Sequence, residues 1–386
     1  MKLFLLAALV SVGIVLPVFG LGGLGEQAQE ENGEVVAASS LKELETRLEN
    51  ARGPITIALA PGRYEALRLR GLSFAAGTTI TSQSDENRAV LAGLVLDDVA
   101  GLAVTNLDIR PGDAGPVRGS RYALLVLNSK AVRIEKVSIV GTDGPADRRY
   151  VAGVMLRQSQ DIHLLRSYIA GFRHGIAMLE VSDTVIELNE LERLQTDAIR
   201  GGGVDRLRIA FNVMTDFSPA EKDHPDGIQL WSTNQPQPGR DIEIVGNLVA
   251  RGKGGATQGI FIRDTHRQMP FEGIRIRGNL ILGSRYNGIT VAGAKDVSVE
   301  NNRVVAESDR KSWIRLTRIE GYASRGNEAM QFIYKDVGGE EFAPQNRVIE
   351  PRDGAAPELI GAWLETQSGF GSDRGPVLAR LLESGR

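Results

Sequence analysis

The feature that most restricts the folding of this chain is a doubly marked repeat between residues 160 and 330. One mark is a polar residue, then Gly or Ala, then Ile, followed by a short alternating stretch: His174-Gly175-Ile176, Asp197-Ala198-Ile199, Asp226-Gly227-Ile228, Gln258-Gly259-Ile260 and Asn287-Gly288-Ile289. The other mark is an Asn within I-x-h-x-N-x-h, where h is apolar, at positions 189, 212, 247, 279, 302 and 327. The Asn spacings are 23, 35, 32, 23 and 25 residues. A basic unit of about 23 residues suits a solenoid of short parallel strands in which apolar positions point inward and each coil covers the next. The Asn column has two readings: an internal amide ladder, or a set of left-handed turn residues.

Upstream segments such as VRIEKVSIVG, LAVTNLDIRP and TTITSQS continue the style in looser register. Before them, SLKELETRLENARGPITIALAPGRYEALRLRG predicts a short amphipathic helix leading into a first strand. This segment resembles the N-terminal cap and first coil of right-handed parallel β-helix proteins of the polysaccharide lyase type, relatives of alginate lyase and chondroitinase B. The resemblance spans roughly residues 40–345. It implies an all-β, single-stranded right-handed parallel β-helix with an N-terminal helical cap, and an enzyme acting on an acidic polysaccharide. Past Asn327 the repeat fades, and ELIGAWLETQ and GPVLARLLES predict a short helical tail or cap over the open end. The expected organisation is therefore a signal peptide at 1–20, a linker at 21–39, the β-helix at 40–350 and a C-terminal cap or tail at 351–386.

The signal rests on Lys2 and the apolar run Leu3–Phe19, with cleavage expected at Gly20/Leu21. It predicts an exported protein, periplasmic or secreted, with no membrane span after cleavage. The chain has no cysteine, which excludes disulfides and thiolate metal sites. A net charge of −3 without a basic block argues against nucleic acid as a partner.

Two consecutive coils carry extra length, 12 residues (35 − 23) before Asn247 and 9 (32 − 23) before Asn279. The insertions FSPAEKDHPD, STNQPQPGR and DTHRQMPFEG are expected to wall one groove. Alternation from the inward Ile places Arg200, Gln229, Trp231, Phe261 and Arg263 on the outer face, where an aromatic ring beside planar donors suits a sugar. The catalytic candidates are Lys222, Asp223, His224, Asp226, Arg263 and His266. The substrate-binding candidates are Arg200, Gln229, Trp231, Asp264 and Arg267, with His174 as a turn residue or distal subsite. His163 has no expected role.

Three reactions fit those residue types. In β-elimination, Arg263 or Lys222, or a Ca²⁺ ion held by Asp223 and Asp226, neutralises a uronate carboxylate, and His224 or His266 removes the C5 proton. Hydrolysis draws two carboxyl groups from Asp223, Asp226 and Asp264. C5-epimerisation uses the elimination apparatus and returns the proton to the other face. No short His-x₃-His spacing supports zinc. The family resemblance favours elimination; HPDGIQ resembles loops of β-helical depolymerases generally, and FRHG at 172–175 only partly matches the lyase pattern. Outside enzymes, the same groove describes a non-catalytic glycan-binding β-helix.

Overall fold

The computed structural model describes residues 33–112, 120–141, 150–338, 345–371 and 375–383. The expected signal peptide lies outside these residues. Within them the chain winds as a solenoid whose strands pair only in parallel with their counterparts one coil away. Each coil has three faces. In His174–Glu187 a single strand bends at Glu180 and Asp183, both in the left-handed region, and so supplies two faces. The three-residue strand Glu190–Glu192 then supplies the third. Where the insertions fall, the two long arms become separate strands, Asp226–Trp231 and Arg240–Val245.

The repeat Ile is the core column. Val154, Ile176, Ile199, Ile228, Ile260, Ile289 and Ile314 stand in register on successive coils, all fully buried. The small residue before it has a steric cause: a Cβ on Gly259 would lie 2.1 Å from the carbonyl oxygen of Gly288 on the next coil.

The Asn residues form a ladder. The backbone N–H and side-chain Nδ2 of Asn189 both donate to Oδ1 of Asn212 at 3.0 Å, and the pattern repeats through Asn247, Asn279, Asn302 and Asn327 to Asn346. The left-handed turn falls one residue earlier, at Leu188, Phe211, Gly246, Gly278, Asn301 and Gly326. Of the two readings the ladder is therefore the one realised.

At the N-terminus the solenoid starts before the expected boundary. Glu34–Ala38, placed in the linker by sequence, pairs in parallel with Ile55–Leu59. The helix Leu41–Asn50 follows, capped by Ser40, whose hydroxyl accepts from Glu43 N–H, while Glu43 accepts from Ser39 N–H; it buries Leu44 and Leu48.

The C-terminal helices Ala356–Leu364 and Pro376–Glu383 do not stand over the end of the stack. They fold back along the third face, where Leu359, Ile360, Trp363 and Leu378 pack on the outward residues Val213, Leu248, Leu280 and Val305. Strands such as Leu248–Ala250 and Leu280–Leu282 are apolar at every position and are buried on both sides, so that face needs a cover. Trp363 Nε1 donates to Gly278 O at 2.7 Å, and Arg380 pairs with Asp216 at 3.0 Å and with Glu192. Among the described residues no helix is long and apolar enough to cross a membrane.

Candidate active site

The first face carries three outward columns. The polar residues of the repeat, His174, Asp197, Asp226, Gln258 and Asn287, stand at the start of successive strands, joined by contacts from coil to coil. The next column reads Ala177, Arg200, Gln229, Phe261, Thr290 and Arg315. The third reads Leu179, Gly202, Trp231, Arg263, Ala292 and Thr317. Arg200, Gln229, Trp231, Phe261 and Arg263 thus all face outward, as alternation predicts.

Two acids meet at the middle of the first column. The backbone N–H of Asp226 donates to Asp197 Oδ1 at 3.1 Å, and Asp197 Oδ2 lies 3.0 Å from Arg200 Nη1. Asp226 Oδ2 accepts from Gln229 Nε2 at 2.7 Å, while its Oδ1 is buried with no hydrogen-bond partner among the described residues. Burial, reinforced by the charge of Asp197, raises the Asp226 carboxyl well above the usual carboxylate range. Burial also raises Asp197, against the pull of Arg200 and the bond from Asp226 N–H. Burial thus favours the protonated form at both carboxyls, and more so at Asp226, whose direct side-chain partner is the neutral Gln229 amide rather than a cation.

Arg200 organises the remaining groups. Its Nη1 is 3.1 Å from His174 Nε2, and its guanidinium carbon lies 4.8 Å from the centre of the Trp231 ring. The same Nη1 lies 3.4 Å from His174 Nδ1, which also faces the hydroxyl of Thr196; that hydroxyl is 3.0 Å from Arg173 O. Burial, with the charges of Arg200 and Arg173, lowers His174 to about 3, so it is neutral at physiological pH. The indole of Trp231 lies over Gly202, where a Cβ would come 2.8 Å from its Nε1; a side chain at 202 would lift the ring off the sheet.

The other expected residues divide by position. Asp223 ties the first insertion to the preceding coil, accepting from Gln195 Nε2 at 2.7 Å and from Ala220 N–H at 3.0 Å, and its charge reaches His174 and Asp197. Lys222 and His224 are exposed where the strand Asp226–Trp231 begins; Arg263, His266 and Arg267 are exposed where the next strand, Gln258–Arg263, ends. A six-residue strand is about 17 Å long. The two loop histidines therefore open from opposite ends of the face and do not converge on one reacting atom. Asp264, expected to bind substrate, is buried and accepts from Ser232 Oγ at 3.0 Å and from the N–H groups of Gln268 and Met269, which shapes the third insertion. His163 lies on a different arm, 3.3 Å from Asp161.

The expected Ca²⁺ site is not supported by its donors. Calcium takes six to eight oxygen ligands. Asp223 and Asp226 are committed to separate partners, and among the described residues no three metal-ligating side chains gather.

Asp197 and Thr196 were missed by sequence reasoning. The signal for Asp197 was present, since it occupies the same repeat position as Asp226 one coil earlier, and in-register stacking brings equivalent positions into contact.

The sequence model for right-handed beta helix regions matches residues 92–304, more than half of the chain, and the protein belongs to that family. Compared by sequence with curated proteins, the chain matches none. Among solved structures it is similar to PfbA, a surface adhesin of Streptococcus pneumoniae, with a TM-score of 0.54 and 11% identity over 80% of this chain and 81% of that one. The Dettilon tailspike protein gives 0.51 and 11% identity over 78% and 68% of the two chains. The periplasmic alginate epimerase AlgG gives 0.48 and 14% identity over 82% and 81%. At such identities the likeness is one of fold.

Proposed function

We propose that this protein is an exported carbohydrate-active enzyme, periplasmic or secreted, that binds an acidic, uronate-containing polysaccharide across its first face and cleaves it beside Asp226. The observation that carries the reading is the buried Asp197–Asp226 pair, in which burial favours the protonated form of Asp226, next to the Arg200–Trp231 platform. A sugar ring stacks on Trp231 while Arg200 and the exposed Arg263 engage its carboxylate. A substrate oxygen takes the place of the Gln229 amide at Asp226.

The pair composes a hydrolytic reaction. Asp226 gives its proton to the glycosidic oxygen as the C1–O bond breaks, and the Asp197 carboxylate attacks C1 to form a glycosyl ester. Water then cleaves that ester, with Asp226 now acting as base. Coils stack about 4.8 Å apart, close to the ~5 Å carboxyl separation of retaining enzymes. Elimination is the second reading, favoured by the exposed Lys222 and His224 at the strand entrance: a cation neutralises the uronate, His224 removes the C5 proton, and Asp226 protonates the leaving oxygen. C5-epimerisation shares the first two of those steps. PfbA is an adhesin and the Dettilon protein a tailspike, so glycan binding without cleavage is a further outcome the same experiment distinguishes.

The test incubates the protein with alginate, polygalacturonate and chondroitin sulfate, following reducing ends together with the ultraviolet absorbance of unsaturated ends. Reducing ends without absorbance establish hydrolysis, and both signals together establish elimination. Asp226→Asn lowers either at least about a hundredfold. The same variant keeps its melting temperature at neutral pH, because the amide matches the neutral carboxyl in size and its oxygen still accepts from Gln229 Nε2. Binding without cleavage leaves a lectin-like protein, and neither binding nor cleavage of any acidic polymer overturns the proposal.

A further inference from the structure

Beyond the acid pair, the same face carries an aromatic cluster that the cleavage chemistry does not use. Tyr286 is one of three large apolar side chains left exposed among the described residues, with 45% of its surface open. Its φ is +58°, whereas Arg173, Thr196, Pro225 and Thr257, which precede the polar residue of the repeat on other coils, are not in the left-handed region. The conformation is thus peculiar to this coil rather than part of the repeating turn, and for a bulky aromatic residue it is disfavoured. The pairing between Tyr286–Glu300 and Ser312–Arg325 also slips at Asn287/Ile289, a bulge of the kind that re-aims side chains.

The surroundings hold the rings in place. Trp313 lies 5.6 Å from Tyr286, tilted by 38°, and the guanidinium carbon of Arg285 is 5.4 Å from the Tyr286 ring centre. Trp313 Nε1 donates to Asn287 Oδ1 at 3.2 Å, and the Thr290 hydroxyl donates to the same oxygen at 2.9 Å. Asn287 Nδ2 donates to Gln258 Oε1, and Gln258 stands opposite Asp226 in the strand register. The frame that holds the aromatic pair thus belongs to the same column of residues as the acid pair. Strain, exposure and a locked polar frame coincide at one place.

We infer that Tyr286 and Trp313 form a distal subsite for a uronate ring of the same polysaccharide, with Arg285 engaging its carboxylate. The inference rests on the groove reading proposed above. Asp226 and this cluster are separated by two to three coils, about 10–14 Å along the stacking axis. An oligosaccharide lying on that axis reaches both places, whereas a disaccharide bound at Asp226 does not reach the second.

The test is calorimetric titration of polygalacturonate- and alginate-derived dimers and hexamers into the wild type, Tyr286→Ala, Tyr286→Phe and Trp231→Ala. The expected result is that Tyr286→Ala weakens the hexamer about three- to tenfold and leaves the dimer unchanged, while Tyr286→Phe binds both as the wild type does. Unchanged hexamer affinity in Tyr286→Ala, with Trp231→Ala weakened, overturns the distal subsite and leaves the groove standing. Equal loss of dimer and hexamer in Tyr286→Ala also overturns it, by making this the primary site. If no oligomer binds the wild type, the groove reading fails and takes the subsite with it.

Discussion

Two columns of polar residues climb this solenoid, and they differ in kind. The Asn ladder is uniform and bonded at each step, fully buried from Asn189 to Asn327: each Oδ1 from Asn212 to Asn346 accepts twice, and Nδ2 of Asn247 also donates to the carbonyls of Ile209 and Val245 at 2.9 and 3.2 Å. The column on the first face is mixed, running from His174 through Asp197 and Asp226 to Gln258 and Asn287, and it leaves Asp226 Oδ1 buried without a partner. A column that satisfies all its members stabilises the coil stack and has no reserve for a ligand. One whose burial favours a protonated carboxyl and a neutral imidazole stores the imbalance that acid–base chemistry draws on.

Removing a member of each column separates the two roles. Asn247→Ala deletes the acceptor for Asn212 N–H and the donor to Ile209 O, both in the core, and the unpaired groups cost about 3–5 kcal/mol, read as a lower midpoint in chemical denaturation at all pH values. In the mixed column the effect depends on pH. The folded His174 resists protonation until about pH 3, while the unfolded chain takes the proton near the ordinary histidine value. The stability tied to neutral His174 is thus present above about pH 6.5 and is lost as pH falls towards 3, by on the order of 5 kcal/mol. Thermal melts of His174→Gln across that window fall less steeply than those of the wild type; parallel curves would place the acid sensitivity elsewhere. The smallest effect belongs to the rim of the mixed column. Trp231→Ala leaves the denaturation midpoint nearly unchanged and weakens acidic oligosaccharide binding about three- to tenfold by titration.

The legibility of the two columns followed the same division. The Asn ladder could be placed to the residue because a uniform column repeats its own letter, and only Asn346 lay past the visible pattern. The mixed column runs His, Asp, Asp, Gln, Asn, so the repeat places its residues in register but the sequence does not show that Asp197 and Asp226 meet as a buried pair. The density of charge in Lys222–Asp226 and the histidine at 266 are the more conspicuous sequence signals. Those loop residues are exposed, and although the chain order shows FSPAEKDHPD entering one strand and DTHRQMPFEG leaving the next, the expectation of one shared groove overlooked the strand length that separates them. Asp264 looked available because it stands between Arg263 and His266, yet its carboxylate is turned inward to hold its own loop.

By itself the sequence determined the coil length, the inward Ile column and the outward set Arg200, Gln229, Trp231, Phe261 and Arg263, because those follow from strand periodicity and a repeating register. Only the tertiary structure decided that Asp197 and Asp226 meet in a buried pair, that Asp264 is structural and that the terminal helices lie along the third face. Each of these depends on burial and on contacts between coils 20 or more residues apart in the chain, as in the 29-residue separation of Asp197 from Asp226. Desolvation acts on a group only once the chain has packed around it.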